Sequence, residues 1–174
     1  MTDAVTIRRV RAGDERLLRD VRLRALRTDP GSFGSTHDEV AGRADAHWRT
    51  WVADHSGGND HCTLLALLDE RPVGLVRIER EPGSPSVFWI FSMWVAPEAR
   101  RQGLALGLLT AAEHWIEAVG GSEARLNVVD RAAPARQLYE RAGYRLDGRS
   151  EPATHYGGLE LGMHKPLGTA PKGV

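Results

Sequence analysis

The sequence holds one cysteine, Cys62, and two lysines, Lys165 and Lys172, among 174 residues. A lone cysteine excludes an intramolecular disulfide and any zinc site built on paired cysteines. No apolar run reaches the length of about 18 residues that a membrane-spanning helix needs. The first ten residues lack the long apolar core of a signal peptide, so a cytoplasmic protein with no membrane partner is expected. Net charge is missing as well: 23 basic residues balance 23 acidic ones. A dedicated nucleic-acid binder is normally basic overall, so no nucleic-acid partner is expected. There is no G-x-x-x-x-G-K-[ST] phosphate loop and no G-x-S-x-G nucleophile elbow. The histidines include no H-E-x-x-H, and no metal site is expected.

What is present is the composition of an ordinary folded protein, 41% apolar and 26% charged. The length suits one hydrophobic core. Residues 1–167 therefore read as a single domain, and 168–174, carrying Gly and Pro, as a flexible tail.

Val5 to Val10 reads as a first strand. Asp14 is placed to cap a helix with Leu17, Leu18, Val21 and Ala25 on one side, stopped by Asp29-Pro30-Gly31. A polar connection, Ser32 to Asp45, leads to a second helix holding Trp48, Trp51 and Val52. Thr63 to Leu68 and Val73 to Glu79 read as strands joined by the turn Asp69 to Pro72. Val87 to Val95 is the most apolar strand. Ala124 to Val129 is the next, followed by a short helix from Pro134 to Ala142. Tyr144 to Arg149 and Leu159 to His164 supply two last strands. Hairpins suggest an antiparallel first half, and the two strand–helix–strand crossovers require parallel or mixed pairing. The expected fold is an α/β sheet with helices on both faces.

Between the apolar strand and the long helix after it lies Arg100-Arg101-Gln102-Gly103-Leu104-Ala105-Leu106-Gly107. The helix shows in the spacing of Leu104, Leu108, Ala112, Trp115, Ile116 and Val119. A basic, glycine-containing turn that opens a helix suits an anion, because the first backbone N–H groups are unpaired and the dipole favours negative charge.

This stretch resembles the acetyl-CoA motif of the GCN5-related N-acetyltransferase (GNAT) family, here Arg100-x-x-Gly103-x-Ala105. Ala135-Arg136-Gln137-Leu138-Tyr139-Glu140-Arg141-Ala142-Gly143-Tyr144 is similar to the family's fourth helix, A-x-x-L-Y-x-x-x-G-F/Y. The resemblance runs over roughly residues 5 to 166. It implies a mixed, mostly antiparallel sheet in which a parallel strand pair splays apart to form a CoA cleft. It implies acetyl-CoA as acyl donor, with the amides of Arg101 to Gly107 around the pyrophosphate and the strand end Met93, Trp94 and Val95 beside the pantetheine. Asn127 would bond the pantetheine or a water. Tyr139 would lie near the thioester sulfur and protonate the departing thiolate. An amide of Val95 or a neighbour would hold the oxyanion.

Two departures stand out. Ala132 replaces an asparagine common in the family, and the strand 87–95 carries no glutamate to serve as base; Ser92 is its one polar side chain. Glu79, His155 or a water chain are the alternatives, unless the amine needs no base. Phe33, Ser35 and His37 fall where the family binds acceptors, and Ser92, His155 and Tyr156 are further acceptor-side candidates. Trp48, Trp51 and Trp115 read as core. Trp89 and Trp94 have opposite parity on one strand and should face opposite sides of the sheet.

The implied activity is direct transfer of acetyl from acetyl-CoA to a primary amine, of a small molecule in preference to a protein N-terminus or lysine. A non-catalytic acyl-CoA sensor is the rival class. The last strand and an open sheet edge are compatible with a homodimer.

Overall fold

Seven strands join into one sheet in the order β1-β2-β3-β4-β5-β7-β6 in the computed structural model, which describes residues 5–155 and 157–168. They are β1 (Val5–Arg9), β2 (His61–Leu68), β3 (Arg71–Arg80), β4 (Val87–Val95), β5 (Glu123–Val129), β6 (Arg145–Pro152) and β7 (Leu159–Pro166). The helices are α1 (Glu15–Thr28), α2 (His37–Ala41), α3 (Asp45–Ser56), α4 (Leu104–Ala118) and α5 (Ala133–Arg141). Tyr156 and the expected tail from residue 169 onward lie outside the described residues.

β1 to β4 pair antiparallel in chain order; hairpins require this of β2, β3 and β4, while α1 to α3 lie between β1 and β2. The β2–β3 turn is tighter than expected. Asp69 and Glu70 take φ of 48° and 65°, a two-residue reversal matching strand twist, so Pro72 already lies in β3. β4 and β5 run parallel across the α4 crossover, and β7 inserts antiparallel between β5 and β6. The sheet is therefore mixed but mostly antiparallel.

α3 and α4 cover opposite faces. Trp51 of α3 donates to Thr63 Oγ1 at 3.0 Å, and Thr63 lies opposite Arg77. Leu108 of α4 packs on the other face at Gly74, where an added Cβ would lie 3.0 Å from the leucine methyl. Leu18, Leu65, Leu75, Ile78, Leu109, Ile116 and Leu126 fill the core between these layers. Trp48 and Trp51 are buried as expected, and Trp115 is partly buried.

Two local expectations change. The segment 32–45 is not a plain connection: it holds α2, started by a capping box in which Thr36 and Glu39 bond each other's backbone N–H groups. Asp14 precedes α1 but makes no side-chain cap bond. Its carboxylate accepts instead from Arg8 at 2.6 and 3.0 Å and from the Arg11 N–H at 2.9 Å, tying β1 to the helix start.

Candidate active site

β4 and β5 pair at only three positions, Val87↔Glu123, Phe88↔Ala124 and Trp89↔Arg125, and separate beyond them. The carboxyl ends of parallel strands are where open α/β sheets bind ligands. A cavity of about 440 Å³ opens there. β4 contributes Ile90, Phe91, Ser92 and Met93 to its wall, and β5 contributes Asn127, Val128 and Val129. Ala132, Ala135 and Tyr139 close it from α5; Glu160 enters from β7. The rest of the wall holds Phe33, Ser35, Arg22, Arg43, Trp51 and Arg77, with Thr154 from the β6–β7 loop. A second hollow of about 510 Å³ lies between α1 and α3. Its walls are mostly charged side chains such as Arg16, Arg19, Asp20 and Asp45, and no strand end reaches it.

A bulge shapes the β4 side. Arg77 lies opposite Phe91 and Leu75 opposite Trp94, so between these pairs Val76 alone faces both Ser92 and Met93. Ser92 takes φ 53° there. The extra residue overturns the parity expectation: Trp89, Phe91 and Trp94 oppose Glu79, Arg77 and Leu75, which share one face. Both tryptophans therefore face the same side. Trp94 points to α1, where its Nε1 donates to Asp29 at 2.7 Å. Of the three residues expected beside the pantetheine, Met93 lines the cavity, while Trp94 and Val95 lie outside its wall.

The glycine turn has left-handed backbone at the start of α4. Arg101 and Gly103 have φ of 61° and 76°, and Gly103 starts α4. The first intrahelical bond runs from the Gly107 N–H to the Gly103 carbonyl at 2.9 Å. The amides of Leu104, Ala105 and Leu106 precede it and have no intrahelical acceptor. Leu104 is buried, whereas Arg101, Gln102 and Leu106 are exposed. Gln102 donates back to the Glu98 carbonyl at 3.4 Å. Arg100 does not reach outward: its Nε donates to the Val95 carbonyl at 3.0 Å and its Nη2 to Asp29. It holds the turn against β4 and α1, while Arg101 stays exposed.

Tyr139 is 8% exposed and borders the cavity, and burial pushes its phenol up to about 12. It is protonated at neutral pH, as a proton donor must be. Ala132 precedes α5 without a side-chain cap bond, with Pro134 in the first turn. Asn127 Nδ2 donates to Glu160 Oε2 at 3.4 Å. Glu160 is the one carboxylate among the described lining residues, and sequence reasoning missed it. Its strand, Leu159-Glu160-Leu161-Gly162, alternates in a way that fixes faces but not which face meets the cleft.

Other candidates fall elsewhere. His37 contacts Arg27 and Asp38 at 3.2 and 3.1 Å and does not line the cavity. His155 bonds the Gly34 carbonyl at 3.0 Å, clasping the β6–β7 loop to the acceptor loop just outside the wall. Glu79 lies 3.2 Å from Arg77 Nε and is not in the wall either. It meets His55 and His61, with ligand-type atoms within 4.8 Å of one another, a grouping from α3, β2 and β3 that no linear spacing shows. Arg77 already supplies Glu79 with a cation.

Solved structures share this fold. An acetyltransferase of the GNAT family from Streptococcus pneumoniae superposes with TM-score 0.81 at 23% identity, over 95% of this chain and 100% of that one. The PaiA N-acetyltransferase of Thermoplasma acidophilum, in complex with coenzyme A, gives 0.75 at 16%, over 94% and 99%. Spermidine N-acetyltransferase of Vibrio cholerae, with CoA and spermine, gives 0.75 at 17%, over 95% and 96%. A family model described as acetyltransferase (GNAT) matches residues 22–144, from α1 through the end of α5, and on that match this chain belongs to the GNAT acetyltransferase family.

Proposed function

We propose that this protein moves an acetyl group from acetyl-CoA directly to a primary amine of a small molecule, with both substrates bound together. The observation that carries the reading is the splay of β4 from β5, which joins the α4 turn to a cavity bordered by a buried, protonated tyrosine. The turn fits the pyrophosphate of CoA: the amides of Leu104 to Leu106 precede the first intrahelical bond, Arg101 and Gly103 are left-handed, and a Cβ at Gly103 would meet nothing within 4 Å. Two structural neighbours carry CoA.

The residues divide the work. Arg101 and the amides up to Gly107 hold the pyrophosphate. Ser92 and Met93 stand at the bulge, where β4 has one residue more than β3, so a backbone N–H there serves the oxyanion. Glu160, steadied by Asn127, takes the proton that the amine must lose. Tyr139 gives its phenolic proton to the sulfur as the C–S bond breaks, and the new amide keeps the acetyl group. No acyl-enzyme is needed. Cys62 is fully buried, and burial pushes its thiol up to about 12. The clasp of His155 on Gly34 covers the acceptor loop, which suits a small amine better than a protein chain.

The test is thiol release from acetyl-CoA with a panel of amines. Tyr139→Phe should keep acetyl-CoA affinity and lower kcat by about 10²–10⁴-fold, the usual worth of a positioned acid. Full kcat in that variant would end the acid assignment. Tight CoA binding with no release for any amine would favour a sensor.

A further inference from the structure

The acceptor side of the cavity is cationic, and its charge is only partly balanced. Arg22 from α1 is 6% exposed and lines the cavity, yet its Nη1 is buried with no hydrogen-bond partner among the described residues. A guanidinium taken out of water without a counter-ion is costly to the fold. Burial above all, and then the positive charges of Arg77 and Arg43, push it down to about 10. Phe33 holds its plane, with the ring centroid 4.7 Å from the guanidinium carbon.

Arg77 is placed in the same way. Its guanidinium carbon lies 5.5 Å from the Trp51 ring and 4.9 Å from that of Phe91. Its Nε sits 3.2 Å from Glu79 but is not aligned to hydrogen-bond there. Arg43, exposed at the rim, meets His47 Nε2 at 2.9 Å. Glu160 in the wall and Glu79 just outside it set two carboxylates against three arginines, which still leaves a net positive charge, and aromatic faces fix the planes of two of the forks. That geometry suits a two-oxygen anion, which a guanidinium binds through parallel N–H groups.

We propose that Arg22, Arg43 and Arg77 form an anion subsite, and that the acceptor is an amine that also carries a carboxylate or a phosphate. The proposal rests on the acetyl-transfer reading above. Glu160 then meets the ammonium and the arginines meet the anion, so the cavity matches a small dipolar molecule end to end. A polyamine would bring a second cation against the arginines and is disfavoured.

Four matched amines test this: 4-aminobutyrate, its amide, O-phosphoethanolamine and putrescine. Thiol release from acetyl-CoA reports turnover, and calorimetry on the CoA-loaded protein reports binding. Acceptor kcat/KM is expected to be at least roughly 100-fold higher for an anionic amine than for the amide or the diamine. A preference for the carboxylate or for the phosphate names which anion the subsite takes. Arg43→Ala, at an exposed position, should raise the acceptor KM by roughly 10–100-fold while the acetyl-CoA KM stays put. Arg22→Gln should do the same where it folds. Turnover of putrescine or the amide at equal or better efficiency overturns the anion subsite and leaves acetyl transfer standing. No release with any amine defeats acetyl transfer; the subsite then stands if calorimetry shows anionic amines binding in an Arg43-dependent manner, and falls if it does not.

Discussion

At the scale of single residues, burial decides which groups can do chemistry. Tyr139 and Cys62 are both buried and both pushed up to about 12, but only the tyrosine borders the cavity. A thiol held protonated is a poor nucleophile, because the thiolate is the reactive form. Cys62→Ala should therefore leave kcat within about twofold of the parent, with a stability loss of less than about 1.5 kcal/mol for so small a change in volume. Steady-state turnover beside a urea melt checks this, and loss of turnover in a folded Cys62→Ala protein would sink direct transfer. Tyr139 was legible in the sequence because its motif is local. Glu160, Arg22 and Arg77 were not: they come from β7, α1 and β3, and only the folded sheet brings them to one cavity.

At the scale of elements, the turn before α4 and the bulge in β4 do the positioning. The turn was legible because a glycine in a basic run before a helical period has few other uses. Its details were not, since Arg100 turns inward to Asp29, far away in sequence. Gly103 has φ 76°, so Gly103→Ala forces a side chain into left-handed backbone at about 1–2 kcal/mol, with no clash to add. Because the strain sits at the turn proposed to hold the pyrophosphate, the variant should raise the acetyl-CoA KM several-fold and leave the acceptor KM unchanged. Initial-rate kinetics in both substrates measures the split; an unchanged acetyl-CoA KM would move the pyrophosphate elsewhere. The bulge was invisible to parity counting, which assumes an unbroken strand, and so both tryptophans of β4 face one side of the sheet rather than opposite sides.

At the scale of the whole molecule, α3 is joined to the sheet by a polar chain whose state depends on pH. Trp51 donates to Thr63 Oγ1, and the hydroxyl lies 2.9 Å from His55 Nδ1. The hydroxyl proton is then free for an unprotonated His55, whose ring burial pushes down from 6.5 to about 4. In the unfolded chain the same ring takes a proton near pH 6.5. Stability from His55 is therefore complete above about pH 6.5 and is lost as pH falls toward 4, by up to roughly 3 kcal/mol. Urea midpoints at pH 7, 5.5 and 4.5 should fall in that order, and His55→Asn should flatten the fall. Equal slopes in the two proteins would assign the acid sensitivity to other groups.

The sequence by itself determined the elements, the glycine turn that starts α4 and the helix that carries Tyr139, because hydrophobic period, glycine and a helix motif act over neighbours in the chain. It also determined the mixed sheet, since short hairpins force antiparallel pairing and helical crossovers force parallel strands. Only the tertiary structure decided where β4 leaves β5, which carboxylate meets the cleft, and that three arginines share its wall. Those outcomes depend on strand register, a single bulged residue and the packing of α1 and α3 on one face. They are sums over distant contacts, and no local pattern in the chain encodes them one at a time.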